Sequence, residues 1–312
     1  MVKKVIIWVL AVLLVLAIVL VAAAPNLAFH LMLTKPKRST KIPKFYQDSP
    51  HYKVSRAGME KMKDYVEEDL YLTSRDGLKL HAYYYPNPEP SNKFVISVHG
   101  YRSYARPEGA PYIEFYREHG FNVLMVDDRA HAPSEGEYIG FGVLDRLDCV
   151  DWAKELVRLY GEDIEILLQG FSMGGATVLS ASGEPDLPEQ VFGIIGDCGF
   201  SNAWDVMHFQ LEQMHAPADW LLPRIEKICE KKAGYNFHDH SALEQVKKAK
   251  VPILIVHGGK DTMVPPYMAQ ELYDAIPGER RLLQVPEAGH AESIAFAPDE
   301  YHQAILEFFH IQ

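Results

Sequence analysis

Six short runs of apolar residues constrain this chain more than any other feature: KFVISVHG (93–100), FNVLMVDD (121–128), IEILLQG (164–170), VFGIIGD (191–197), VPILIVHG (251–258) and RLLQVPE (281–287). Each is too continuously apolar for a strand with one wet face, and each suits the interior of a parallel sheet covered on both sides. Helix-length amphipathic stretches separate most of them. In residues 142–161, for example, Val143, Leu144, Leu147, Val150, Leu156 and Val157 recur at the spacing of one helix face. Strand then helix, repeated, predicts a mostly parallel, doubly wound α/β sheet. Ahead of it, EEDLYLTSRDGLKLHAYYYP (67–86) reads as a hairpin, with one strand ending at Thr73 and the next running from Lys79 to Tyr85 about a turn at Asp76 and Gly77. Between Asp197 and Val251 lies more chain than one crossover helix needs. Residues from about 201 to 248 are therefore read as a helical lid over the carboxyl ends of the strands, where open α/β sheets bind ligands; the alternative is packing helices remote from any site.

The N-terminus carries a different signal. After Lys3 and Lys4, VIIWVLAVLLVLAIVLVAAA runs from Val5 to Ala24 without a charge. As a helix rising about 1.5 Å per residue it spans about 30 Å, the hydrocarbon thickness of a bilayer. A cleaved export signal has a shorter apolar region, of about 7–15 residues, although cleavage after Ala23 is an open alternative. The expected organisation is a basic head (1–4), a transmembrane anchor (5–24), a basic, proline-punctuated juxtamembrane linker with room for a short helix (25–64) and a catalytic body (65–312). Lys35, Lys37, Arg38, Lys41 and Lys44 follow the span and favour a cytoplasmic body by the positive-inside rule. The short basic head followed at once by the span has the layout of an export signal and favours the outside face, which is the orientation expected here.

Composition excludes several classes. A formal net charge of −11 is unlike the basic surface of a nucleic-acid binder. Cys149, Cys198 and Cys229 have neither the even count of a disulfide framework nor the spacing of a zinc site, and the HDH at 238–240 reads as a solvated loop. No cofactor motif is present: GFSMGG lacks the Gly-Lys-Ser/Thr of a phosphate loop. No metal is expected, and nothing in the composition bears on oligomeric state.

The chemistry centres on LLQGFSMGGA (167–176), where four glycines surround Ser172 at the boundary of an apolar run and a helix-like stretch. A serine in a tight strand-to-helix turn is thrust out above the sheet and needs small residues two before and two after it. Its hydroxyl is a weak nucleophile and requires a base, which in turn requires an orienting acid. Asp261 follows the 251–258 run, and His290 follows the 281–287 run. The order Ser172, Asp261, His290 is that of the α/β-hydrolase arrangement. Asp197, at an earlier strand end, is the alternative acid. The peptide N–H groups of Met173 and Tyr101 are candidate oxyanion donors; His99 is read as structural.

From about residue 66 onward the chain resembles the α/β-hydrolase superfamily, in particular bacterial membrane-anchored hydrolases related to the serine aminopeptidase S33 and acyl-esterase branches. The stretches that carry the resemblance are HGYRS, DDRAHAPSEG, GFSMGG, GGKDTMVP and AGHAES. Relatives usually have glycine after the histidine of the second stretch, where this chain has Ala132 and Pro133. The resemblance implies the α/β-hydrolase fold and, with serine as nucleophile, acyl transfer to water. An ester or thioester is the leading substrate class, with a short peptide or a catalytically idle surface domain as alternatives. Trp204, Met207, Phe209 and Trp220 in the lid are candidate acyl-pocket residues.

Overall fold

The computed structural model describes residues 2–35, 47–131 and 133–312. Lys37, Arg38, Lys41 and Lys44 of the basic segment, and Ala132, lie outside the described residues. Eight strands form one sheet: β1 (Glu68–Thr73), β2 (Lys79–Tyr85), β3 (Lys93–Val98), β4 (Phe121–Asp127), β5 (Glu165–Phe171), β6 (Val191–Asp197), β7 (Ile253–Gly258) and β8 (Arg280–Val285). Their spatial order is β1-β2-β4-β3-β5-β6-β7-β8. β1 and β2 pair antiparallel, as do β2 and β4, and the rest of the sheet is parallel. β4 and β7 are buried at every position, as strands covered on both faces must be. β1, at the edge, has alternate positions exposed.

The helices are α1 (Val2–Leu33), α2 (Pro50–Lys61), α3 (Ala105–Gly109), α4 (Ile113–Glu118), α5 (Asp145–Tyr160), α6 (Met173–Ala181), α7 (Ala203–Gln213), α8 (Ala218–Ala233), α9 (Ala242–Val246), α10 (Tyr267–Ala275), α11 (Ser293–Phe296) and α12 (Pro298–Phe308). Trp152, Leu156, Val178, Leu179 and Leu272 from α5, α6 and α10 cover one face of the sheet. Ile113, Tyr116, Tyr301 and Ile305 from α4 and α12 cover the other. A third apolar cluster joins α7 and α8 to Met173 and to the end of α1.

The N-terminal boundaries differ from those the sequence suggested. α1 is one helix from Val2 through Leu33, so it includes Lys3 and Lys4 of the expected basic head and runs past Ala24. Residues Lys3 to Leu16 are exposed, whereas Phe29 and Leu33 are fully buried against the body. Burial stabilises each by about 1.5–3 kcal/mol, which a solvated linker would forgo. α2 is likewise part of the body: Ser49 caps it by accepting the Tyr52 N–H at 3.1 Å, Ser55 Oγ donates to the Pro107 carbonyl at 2.6 Å, and His51 Nδ1 donates to the Ala291 carbonyl at 2.9 Å. The body thus includes both the end of α1 and all of α2. Within the stretch expected as a lid (about 201–248), Ala242 and Val246 of α9 pack into the core beside the sheet.

Candidate active site

Ser172 stands between β5 and α6 with φ 54° and ψ −113°. A non-glycine residue in this region stores about 1–3 kcal/mol of strain that its surroundings must hold. Two features hold it. Its own N–H donates to the Asp197 carbonyl at 2.8 Å, and the residues two before and two after it, Gly170 and Gly174, lack side chains. A Cβ on Gly170 would come within 2.1 Å of the Gly174 oxygen, and one on Gly174 within 2.2 Å of the Val98 oxygen. The turn can close only with hydrogen at both positions.

Above this turn the ends of β7 and β8 bring Asp261 and His290 to the serine. His290 Nδ1 lies 2.7 Å from Asp261 Oδ2, and His290 Nε2 lies 2.9 Å from Ser172 Oγ. Burial opposes charge on Asp261, but hydrogen bonds from His257 and His290 outweigh it and hold the carboxyl well below the usual carboxylate range. Asp261 Oδ1 also accepts the Met263 and Val264 N–H groups at 2.8 and 2.9 Å. An ionised Asp261 can only accept, so the proton of a neutral His290 sits on Nδ1 and leaves Nε2 to accept the Ser172 hydroxyl.

The other sequence candidates fall around this chain of hydrogen bonds. Asp197 is fully buried and accepts from Tyr301 at 3.0 Å and Tyr112 at 3.4 Å; neither His290 nor Ser172 bonds its side chain. Its burial pushes the carboxyl up to about 6. His99 is buried, with Nδ1 donating to the Gly100 carbonyl and Nε2 accepting the Asp128 N–H. The N–H of Met173, in the first turn of α6, and that of Tyr101, after β3, have no acceptor among the described residues. Met207 is buried in the third apolar cluster with Met173. Trp204, half-buried, packs against the same cluster and on His238, and Trp220 packs there beneath the Arg224 guanidinium. Phe209 is half-buried outside that cluster.

Three neighbours were not singled out from the sequence. His257 Nε2 lies 3.4 Å from Asp261 Oδ2. Its position in the run before Asp261, one residue ahead of Gly258, was the only hint. His131 Nε2 accepts the Arg102 N–H at 3.1 Å, and burial beside His99 pushes its imidazole down to about 2, so it remains a neutral acceptor. Its signal was the DDRAHAPSEG stretch. Cys198, fully buried with φ 45°, places its sulfur within 4.8 Å of donor atoms of Asp261 and His290. These three are the metal-ligating types gathered here, although two of them are already bonded to each other. Cys198 has no motif to announce it.

A mostly parallel sheet of this order with a serine at the β5–α6 turn defines an α/β-hydrolase, and the chain is a serine hydrolase. Residues 137–311, more than half of the chain, match the prolyl oligopeptidase family, and the chain belongs to it. The motifs had suggested the α/β-hydrolase superfamily, which this membership agrees with, and within it the S33 and acyl-esterase branches. Among relatives, the uncharacterized protein YqkD of Bacillus subtilis is 25% identical over 226 residues, 72% of this chain and 73% of YqkD. The uncharacterized membrane protein YNL320W of Saccharomyces cerevisiae is 26% identical over 196 residues, 62% of each chain. Among solved structures, the esterase Pf2001 of Pyrococcus furiosus superposes with a TM-score of 0.64 at 26% identity, over 88% of this chain and 98% of the esterase.

Proposed function

We propose that this chain hydrolyses a carboxylic ester or thioester through an acyl-enzyme on Ser172. The observation that carries the reading is the continuous chain from Asp261 through His290 to the Ser172 hydroxyl. His290 Nε2 takes the hydroxyl proton as Oγ bonds to the acyl carbon, and Asp261 holds the imidazolium that forms. The carbonyl oxygen becomes an oxyanion and accepts from the Met173 and Tyr101 N–H groups, each such donor being worth about 10²–10³ in rate. Collapse breaks the bond to the alkoxide or thiolate, which leaves with the proton from Nε2. Water then repeats the sequence and frees the acid. No cofactor takes part in this scheme. Similarity to an esterase at 26% identity supports the ester reading, and membership of the prolyl oligopeptidase family supports a short peptide as second reading.

The lid residues Trp204, Met207, Phe209 and Trp220 are proposed to receive the acyl group. α1 is proposed as a single-pass membrane anchor, which its exposed, uncharged stretch and the relative named a membrane protein support; the body is proposed to lie outside on the export-signal layout of the N-terminus alone. Carbonate-washed membranes should retain the protein, and protease added to intact cells should remove the body; release by carbonate, or protection until lysis, would defeat these two statements respectively. The activity is tested by labelling with a fluorophosphonate and by ester, thioester and aminoacyl-peptide panels. Ser172 should be labelled and esters or thioesters should turn over fastest. Faster peptide hydrolysis would select the second reading, and neither label nor turnover would leave an idle domain.

A further inference from the structure

We propose that the last turn of α1 and the residues that follow it, Phe29 to Lys35, position the Tyr101–Arg102 loop, so that the membrane-facing helix and the oxyanion site form one mechanical unit. The proposal rests on the hydrolase reading and on the role given there to the Tyr101 N–H. The final carbonyls of any helix lack intrahelical donors. At the end of α1 the body satisfies two of them, those of Met32 and Leu33, together with the carbonyl of Thr34 just beyond the helix, while the His30 carbonyl accepts the Thr34 hydroxyl. The Met32 carbonyl accepts the Tyr101 hydroxyl at 2.7 Å, the Leu33 carbonyl accepts the Ile139 N–H at 2.8 Å, and the Thr34 carbonyl accepts Arg102 Nη2 at 3.3 Å.

The contact extends to a second loop. Thr34 forms an isolated antiparallel bridge with Tyr138, the Lys35 N–H donates to the Glu137 carbonyl at 2.9 Å, and Lys35 Nζ donates to the Ser134 carbonyl at 2.6 Å. That same loop carries His131, which accepts the Arg102 N–H. The end of α1 therefore grips both the loop that offers the Tyr101 N–H and the loop that orients the residue after it. Arg102 has φ 58°, a strained conformation for a side-chain-bearing residue, which persists only where neighbours hold it. Behind these bonds, Phe29 and Leu33 are fully buried in the cluster that includes Met173, the other candidate oxyanion residue, and the Tyr101 ring packs 5.1 Å from Phe141.

An oxyanion donor works only near its final position, and a misplacement of about 1 Å can lower rate by about 10². Loosening the end of α1 should therefore reduce turnover without weakening ground-state binding. The test uses the full-length protein in detergent micelles with a short water-soluble ester, so that access from a bilayer does not limit the rate. Tyr101→Phe removes only the hydroxyl that holds Met32. Phe29→Ala loosens the helix without touching the loop. Leu13→Ala, on the exposed part of α1, is the control.

For each variant kcat, KM and the inhibition constant of a trifluoromethyl ketone are measured; the ketone's adduct with Ser172 carries its oxyanion where the intermediate's would lie. Tyr101→Phe and Phe29→Ala are expected to lower kcat about tenfold or more, to change KM by less than about threefold and to weaken the ketone in proportion to kcat. Leu13→Ala should match the wild type in all three. If both docking variants keep kcat and ketone affinity within about twofold of the wild type, whatever happens to their melting temperatures, the contact is structural and the proposal is overturned. If the wild type shows neither turnover nor fluorophosphonate labelling, the hydrolase reading fails and takes this proposal with it.

Discussion

Replacing Asp261 with asparagine tests the assignment of the acid, and the structure determines how the amide must sit. Oδ1 faces two fixed backbone donors, the Met263 and Val264 N–H groups, so the asparagine carbonyl oxygen takes that position. Its NH₂ then occupies the site of Oδ2, 2.7 Å from His290 Nδ1. A donor there forces Nδ1 to accept, which moves the imidazole proton to Nε2, the nitrogen 2.9 Å from Ser172 Oγ. The base is thereby lost at the one atom where it is needed, and the imidazolium of the transition state loses its counter-charge. Turnover should fall by about 10³–10⁴, the higher figure being about 5.5 kcal/mol of barrier at 1.36 kcal/mol per tenfold. Asp197→Asn should lower it by less than tenfold, because that side chain meets Tyr301 and Tyr112 and not the histidine. The assay is kcat on one soluble ester for the two variants and the wild type, with circular dichroism to establish folding. Folded Asp261→Asn retaining more than a tenth of wild-type turnover, or Asp197→Asn falling further than it, would refute the assignment.

Two more expectations follow from the lid and from the buried carboxyl. Trp204→Ala and Trp220→Ala should alter the preference among short and long acyl esters more than they alter the melting temperature; equal losses on all esters with a large fall in melting temperature would make both residues packing only. Asp197, buried and pushed up to about 6 from an ordinary value near 4, keeps its proton in the folded state at pH values where the unfolded chain has released it. Its contribution to stability is therefore present at low pH and is lost as pH rises from about 4 to about 6, to the extent of about 3 kcal/mol. Urea unfolding at pH 4 and pH 7 should reveal this slope in the wild type and its absence in Asp197→Asn, and parallel pH profiles would count against it.

Much of the architecture was legible because its signals are local. Continuous apolar runs announce strands buried on both faces whatever lies beside them, and β3 to β8 fall within about two residues of the runs that suggested them. Ser172, Asp261 and His290 each follow a strand, and the requirement for a nucleophile, a base and an acid in that order selected them before any distance was known. The sheet order, with β4 between β2 and β3, depends on pairings between distant segments and has no local trace. The same is true of α1. Phe29 and Leu33 fall in the stretch read from sequence as a juxtamembrane linker, yet they close the third core cluster, because only the fold brings Ile139, Phe141 and α8 to meet them. The contacts that tie the end of this helix to the Tyr101 loop run through the carbonyls of Met32 and Thr34, and the Leu33 carbonyl holds Ile139 of the neighbouring loop. Every residue has a carbonyl, so sequence could identify the reacting side chains, while the backbone groups that hold them in place were determined only when the tertiary structure gave those carbonyls their partners.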